Sequence, residues 1–443
     1  MARGPRRIKR RRRKPGDIQG LLARASEFQR NGDLDQARRL FEQALRMRPD
    51  WPPLLNALGT VFMDMGEYKG AKACFRKASM SSVPYPPALY NMARLCHMSG
   101  DLTGAVKYYR QAVDAEPGMA MAWNNLGLLL MDSGQAQQAV SCFEKATEAA
   151  PDSGEAWNNL GLALEDMERF RDAVAAFQKA ISLHPGHISA LFNLGALELR
   201  LGNRNEAAGL LEKVLDLDSN NESARYLLQG LGRLPAPEAA PVGHVKKVFD
   251  DCAEKFEQVL VRRLQYRTPE ALYQLVSPHL GSGLNILDLG CGTGLGADLY
   301  RPHAALLAGM DASERMLGVA ERKNIYDRLF CADILSPWDL DGLLFHLIYS
   351  SDVFVYFGSL DTVLAEMHRN VAAEGVVAFS VEILNSSSQP FMLQESGRFA
   401  HSPAYVMDRV AAAGFYFVDS AETVLRKEQG EDVQGLLVVA KRR

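Results

Sequence analysis

The sequence predicts an α-helical solenoid of paired helices followed by an α/β domain wound around a mostly parallel sheet. Two observations carry that expectation. Small and aromatic residues recur every 34 positions through the first half, and the second half alternates short apolar runs with helical segments after a glycine-rich turn at Gly290 to Gly294. A chain of 443 residues also exceeds one ordinary core, since domains commonly run about 100–200 residues, so two or three units are expected.

Residues 1–17 form a basic arm, read as disordered. Arg3, Arg6, Arg7, Lys9, Arg10, Arg11, Arg12, Arg13 and Lys14 stand there with no acid and no apolar stretch of a secretory signal among the first fifteen. The whole chain carries −3, so the remainder is strongly acidic. Such an arm attracts nucleic acid phosphates or an anionic lipid surface through residues 3–14 by sequence-blind Coulomb forces; a solvated tail, or an arm folded on its own acidic body, accounts for the charge equally well. Composition, 47% hydrophobic and 23% charged, fits a globular protein, and no apolar run reaches the roughly 20 residues of a membrane span. Six cysteines without a CxxC pair suggest neither a zinc site nor a disulfide framework, which fits a reducing cytoplasm.

Residues 18–232 carry the repeat. Ala37, Ala71, Ala105, Ala139, Ala173 and Ala207 are each followed four positions later by Phe41, Phe75, Tyr109, Phe143, Phe177 or Leu211, and three further on by Ala44, Ala78, Ala112, Ala146, Ala180 or Val214. Steps of 4 and 3 keep all three on one helical face, where alanine lets helices approach and the aromatic fills the space between them. Upstream, a partner helix reads as Trp123, Leu126, Gly127 and Leu130, or Trp157, Leu160, Gly161 and Leu164; glycines such as Gly32, Gly66, Gly100, Gly134 and Gly202 turn the chain between helices. Prolines 49, 84, 117, 151 and 185 close the units, and Ser219 replaces the sixth. In period, residue types and order this stretch resembles the tetratricopeptide repeat family, six repeats with a capping helix over 221–232 that covers the last apolar face. The resemblance implies a concave groove holding a protein or peptide. Asn91, Asn125, Asn159 and Asn193 also recur at the repeat spacing. Amides both donate and accept, as gripping a peptide backbone requires; the set is similar to the asparagine ladder of O-linked N-acetylglucosamine transferases, while amides bonded inside their own repeat would explain it without a ligand.

Residues 233–243, with Pro235, Pro237 and Pro241, lack apolar periodicity and read as a semi-rigid linker. The second domain then spans 244–443. Apolar positions between His244 and Val276 follow helical spacing, making one or two helices that serve as a lid or cap ahead of the first strand.

The strand Asn285 to Leu289 runs into Gly290-Cys291-Gly292-Thr293-Gly294, a turn that lets backbone approach a ligand closely. By itself a glycine-rich turn leaves a dinucleotide fold, a phosphate loop or a plain tight turn open. A phosphate loop, however, calls for Gly-Lys-Ser/Thr, which is absent. Asp288 two residues ahead of Gly290 completes Asp-x-Gly-x-Gly-x-Gly, which resembles the first motif of class I S-adenosylmethionine methyltransferases, with a Rossmann-like fold. The strand Leu306 to Met310 ends in Asp311, an acid placed for ribose hydroxyls in this family and in dinucleotide enzymes alike. A third strand is read as ending at Asp333-Ile334. The resemblance implies that Asp333 accepts from the adenine amino group and Ile334 packs on its face, and it adds Ala312, beside Asp311, and Ser350, at the end of strand four, to the S-adenosylmethionine site. Together with the repeats, Tyr266-Arg267-Thr268-Pro269, Asn324 to Asp327, Asp352 to Tyr356 and Gly397 to His401 resemble a group of bacterial predicted methyltransferases that contain such an array.

Strand five is read over Val376 to Ile383, followed by a helix over Pro403 to Ala413 and an antiparallel hairpin of Phe415 to Asp419 with Gly435 to Ala440. Candidates for a base near the strand tips are Asp352, Tyr356, Glu382 and His401, the last being the one imidazole expected to border a substrate cavity. The Asn/Asp-Pro-Pro-Tyr of amide and nucleobase nitrogen methylation is replaced by Ser351-Asp352-Val353-Phe354, and paired glutamates of arginine methylation are missing, which leaves oxygen, carboxyl or carbon acceptors, with lysine or terminal amines also open. Three functions follow from the resemblance: a methyltransferase whose array recruits a protein or protein-bound substrate, a small-molecule methyltransferase whose array serves assembly, and a non-catalytic scaffold. No metal is expected.

Overall fold

A computed structural model describes residues 18–80, 85–253, 256–257, 266–385, 389–428 and 430–443. The basic arm lies outside these residues. The chain divides into two compact units, one ending at Leu183 and the other beginning at His184.

The first unit is five antiparallel helix pairs: α1 (Ile18–Arg30) with α2 (Leu34–Met47), α3 (Pro52–Asp64) with α4 (Tyr68–Ser79), α5 (Pro86–Met98) with α6 (Leu102–Ala115), α7 (Ala120–Asp132) with α8 (Ala136–Ala149), and α9 (Gly154–Asp166) with α10 (Phe170–Leu183). The repeated alanines and aromatics of the second helices are buried. Their partners are glycines on the first helices: a Cβ added at Gly127 would stand 2.7 Å from the Phe143 ring, and Gly59 and Gly161 face Phe75 and Phe177 in the same way. Glycine here clears the niche that the aromatic fills. Gly32, Gly66, Gly100 and Gly134 turn the pairs at positive φ, and in the fifth pair Glu168 takes that place at φ 60°, a conformation costing an ordinary residue roughly 1–2 kcal/mol. Trp123 and Trp157 each donate their indole N–H to the carbonyl of the closing proline, Pro117 at 2.9 Å and Pro151 at 3.0 Å.

In the second unit, α11 (Ile188–Arg200), α12 (Arg204–Leu217), α13 (Glu222–Gly230) and α14 (Val242–Cys252) precede α15 (Thr268–Val276). The sheet follows: β1 (Leu284–Leu289), α16 (Ala297–Tyr300), β2 (Ala304–Asp311), α17 (Glu314–Lys323), β3 (Arg328–Cys331), β4 (Phe345–Ser350), α18 (Asp361–Asn370), β5 (Val371–Ile383), β6 (Phe391–Leu393), β7 (Phe399–His401), α19 (Pro403–Ala412), β8 (Phe415–Glu428) and β9 (Glu431–Arg442). Strands β3, β2, β1, β4 and β5 lie parallel in that order; β9 runs antiparallel between β5 and β8, and the small β6–β7 hairpin joins the far end of β5 through β7. Alternate strand residues feed two cores, Leu287, Met310, Ile348 and Phe379 on one face and Ile286, Leu307, Leu347 and Tyr349 on the other. Because β1 is flanked by β2 and β4, the winding reverses beside it, and crevices in such sheets open at the carboxyl ends of the strands at that point.

Three differences from the expected elements bear on the site. β3 ends at Cys331, so Asp333 and Ile334 stand in the loop beyond it. The β6–β7 hairpin was not anticipated, because strands of three residues show no periodicity. The final hairpin is longer than read, with register shifts between Phe417 and Asp419 and between Val424 and Arg426 that hide its alternation.

Candidate active site

Beyond β1 the chain turns through Gly290, Gly292 and Gly294 at φ 73°, 52° and 77°. The Gly290 and Cys291 N–H groups donate to Met310 O at 2.8 and 3.0 Å, stitching the turn to the end of β2. A Cβ at Gly290 would collide with Val353, whereas at Gly292 it would meet only the Phe256 ring, 3.7 Å away. Gly290 is therefore needed for packing, and Gly292 leaves room for a ligand. Asp311 is held at both oxygens: Gly292 N–H donates to Oδ2 at 2.9 Å and Ser313 N–H to Oδ1 at 2.8 Å. Burial pushes its carboxyl above the usual range despite those bonds.

Asp288 is buried. The Tyr326 and Tyr349 hydroxyls both donate to its Oδ2, each at 2.7 Å. Burial raises its pKa to about 6, with the two tyrosine bonds working against the rise. Asp333 accepts from Leu335 N–H at 3.0 Å and from the Ser336 hydroxyl at 3.1 Å.

A cavity of about 270 Å³ opens at these strand ends, and it brings together Asp288, Gly290, Cys291 and Gly292 with Asp311, Ala312, Asp333 and Ile334. Its outer wall is apolar, from Val245 and Phe249 of α14, Phe256 and Tyr356; Phe249 meets Phe256 and Tyr356 edge to face, both at 5.7 Å. Three residues expected at the cofactor do not line it. Thr293 donates to Glu257 at 2.7 Å, Ser350 donates to Leu289 O at 2.8 Å from a fully buried position, and Gly294 lies against Tyr326.

Among the expected base candidates, Asp352 and Tyr356 line the cavity. Asp352 sits at φ 60° and takes Arg426 Nη1 at 2.7 and 2.9 Å on its two oxygens. Arg426, fully buried, also pairs with Glu382 and with Glu428; burial pushes the Glu382 carboxyl up, against the pull of Arg426. His401 does not border the cavity. It is buried in β7, with Nε2 2.8 Å from Phe357 O and 3.2 Å from Gly358 O, so Nε2–H donates, and burial lowers its pKa to about 4. Its ring is structural, a correction that follows from its lying in an unanticipated strand.

In the array, Asn91 donates to Asn56 at 2.9 Å, Asn125 to Tyr90 and Tyr109 at 3.2 and 3.3 Å, and Asn159 to Asn124 at 3.0 Å. Three bonds reach 35 residues back, into the preceding repeat, instead of staying within one. Asn193, in the second unit, lines a separate cavity of about 330 Å³ with Phe192, Ser223, His244 and Lys247.

Sequence reasoning missed Tyr326, Tyr349, Ser351 and Arg426. Tyr349 stands opposite Asp288 in the β1–β4 register, a pairing that exists only in the folded sheet. Arg426 follows 74 residues after Asp352 in the bulged hairpin, with no local signal.

Two observations fit S-adenosylmethionine. The space over Gly292 is open beside a carboxylate already fixed by backbone donors, and the Ser351 hydroxyl lies buried on the cavity wall without a partner. No His, Cys, Asp or Glu cluster among the described residues suits a metal, and no helix among them is long and apolar enough to cross a membrane.

Comparison with known proteins finds two kinds of family, with the repeat matches running past residue 184. Residues 260–419 match a family described as methyltransferase domain, and residues 29–95, 86–118, 118–184 and 155–220 match families described as tetratricopeptide repeat. The chain is 31% identical over 129 residues to a malonyl-[acyl-carrier protein] O-methyltransferase of Pectobacterium atrosepticum, covering 29% of this chain and 48% of that protein. It is 33% identical over 142 residues to the protein of the same name in Hamiltonella defensa, covering 32% and 53%. The chain thus spans about half the length of the curated relatives it matches. The solved magnesium protoporphyrin IX methyltransferase of Synechocystis aligns with a TM-score of 0.36 at 15% identity, over 46% of this chain and 99% of that one.

Proposed function

We propose that this chain, a tetratricopeptide-repeat array joined to a methyltransferase domain, transfers a methyl group from S-adenosylmethionine to a carboxylate oxygen of an acceptor borne on a protein. The observation that carries the reading is the meeting of Asp288, Asp311 and Asp333 with the open glycine turn around one cavity. S-adenosylmethionine supplies an electrophilic methyl group on a cationic sulfur, which an in-line nucleophile displaces.

Asp311 offers its remaining lone pairs to the two ribose hydroxyls, being already oriented by Gly292 and Ser313. Asp333 accepts from the adenine amino group and Ile334 packs on the ring. Asp288, held by two tyrosines, faces the cationic end of the molecule.

The base candidates point to the acceptor. Asp352 is occupied by Arg426 at both oxygens, and His401 is neutral and away from the cavity. Tyr356, the other candidate on the cavity wall, carries its own hydroxyl proton, so an acceptor that must lose a proton is poorly served, and a carboxylate needs no such loss: as the C–S bond breaks and the C–O bond forms, the negative charge of the carboxylate and the positive charge of the sulfonium cancel, giving a methyl ester and S-adenosylhomocysteine. Lys246 and Arg398 on the cavity wall suit an anionic acceptor. The relatives named malonyl-[acyl-carrier protein] O-methyltransferase favour the same chemistry, and the array supplies a surface for a protein carrier. One observation favours the assembly-only array with a small acceptor: the amides of Asn91, Asn125 and Asn159 are already bonded to the preceding repeat.

Calorimetry with S-adenosylhomocysteine tests the site. Asp311→Ala should weaken binding about 100-fold, since two hydrogen bonds to a charged group are lost; no binding by the intact chain, or unchanged affinity in the variant, overturns the reading.

A further inference from the structure

Three of the four repeated asparagines donate their amides to the preceding repeat. The fourth, Asn193, lines the second cavity, about 330 Å³ in volume, together with Asn220 and Asn221 ahead of α13 and His244 and Lys247 of α14. Its lining says what kind of ligand fits. Three amides, each able to donate and to accept, meet beside an apolar patch of Ile188 and Phe192. One cation, Lys247, and one anion, Glu222, stand on the same wall, so neither a phosphate nor a cationic ligand is favoured. Burial lowers the His244 pKa to about 4, so its ring adds no charge at neutral pH. Backbone amides with an apolar side chain between them are what an extended stretch of protein chain presents.

Helix α14 is the partition between this cavity and the one assigned to the cofactor. Val245, Lys246 and Phe249 face the cofactor cavity, whereas Gly243, His244 and Lys247 face the second. The helix is fastened on both sides. His244 Nδ1 lies 3.0 Å from Ser223 Oγ, and Lys247 Nζ stands 5.6 Å from the centre of the Phe192 ring. Opposite them, the Ser313 hydroxyl donates to Asp250 at 2.6 Å, and Phe249 meets Tyr356 edge to face. A helix with its side chains is about 10 Å across, and an extended chain covers about 3.5 Å per residue. A chain seated in the second cavity therefore needs only a few residues to bring an acceptor round α14 to the first.

We propose that the cavity between α11, α13 and α14 docks an extended segment of the protein that bears the methyl acceptor. The inference rests on the reading of a protein-borne acceptor above. It moves recognition from the asparagine ladder to a cavity that shares one helix with the catalytic one.

The test uses the full chain, tritium-labelled S-adenosylmethionine and the soluble proteins of the source cell, with initial rates of protein labelling read at low and at high total protein. Ser189 is exposed on the cavity wall, and Ser189→Trp fills the space beside it. That variant should lower the rate at low protein roughly tenfold or more, the loss shrinking at high protein, with affinity for S-adenosylhomocysteine unchanged within about twofold. Asn220→Ala, at another exposed position, should lower the rate about threefold to tenfold through lost hydrogen bonds, whereas Asn159→Ala, whose amide is already bonded to the repeat behind it, should keep it within about twofold. Undiminished rates in both cavity variants, a loss in Asn159→Ala as large as theirs, or an equal fall in affinity for S-adenosylhomocysteine overturns the docking site alone. A wild type that binds S-adenosylhomocysteine yet labels no protein overturns the protein-borne acceptor and this inference with it, and one that does not bind overturns the cofactor reading as well. Should Ser189→Trp not fold, Asn220→Ala decides in the same assays.

Discussion

In the array, Phe143 fills the niche cleared by Gly127, Phe177 does so beside Gly161 and Phe75 beside Gly59; around the cavity, Arg426 answers Asp352, Glu382 and Glu428 once, with no second copy among the described residues of the second unit. The same kind of contact recurs along the array, so the loss of one is shared along the stack, as expected of quasi-one-dimensional folds. A cavity contact has no understudy. Replacing it leaves charges buried without a counterion, the costliest way to disturb an ion pair.

The sharpest challenge to this contrast is truncation. A chain beginning at His184 should remain folded and keep its affinity for S-adenosylhomocysteine within about twofold. One beginning at Pro235 loses α13, whose buried Tyr226 donates to Gly397 O at 2.8 Å and packs in a cluster with Leu393 and Phe399. Removing a buried aromatic alone costs about 3–5 kcal/mol, so thermal melting should fall by about 10 °C or more; equal melting of the two truncations would break the comparison. Next in size, Arg426→Met should cost about 3–5 kcal/mol in urea unfolding, and a loss below about 1 kcal/mol would show that the buried carboxylates tolerate each other. Smallest is Asn159→Ala, which removes one bond between repeats and should cost about 0.5–1.5 kcal/mol; a larger loss, measured the same way, would mean that the array is as intolerant of single changes as the cavity.

Legibility in the sequence follows the same divide. The helix pairs were readable because one packing solution is written repeatedly, and Asp311 because β2 ends on it; Asp333 was read as a strand end and stands in the loop two residues past β3. Ser350 was chosen where Ser351 lines the cavity, since β4 ends at Ser350 and Ser351 stands in the turn beyond it, where strand alternation no longer says which side chain meets the cavity. His401 looked like a cavity imidazole because nothing in three residues announces a strand. Asp288 was found, but its tyrosine partners lie 38 and 61 residues away and meet it only after the sheet closes. The asparagines were seen as a ladder; that their donors are spent on the repeat behind them depends on the stagger between helices, which spacing does not encode.

The bond from Tyr226 to Gly397 also sets where this protein tolerates rearrangement. Among the described residues the walls of both cavities are built from residue 188 onward, so exchanging 34-residue modules upstream of 184 should leave the cofactor cavity as it is while altering the face offered to a protein carrier. The hairpin of α11 and α12 with its α13 cap is not interchangeable in this way: it is an adaptor, and any grafted array must end in it.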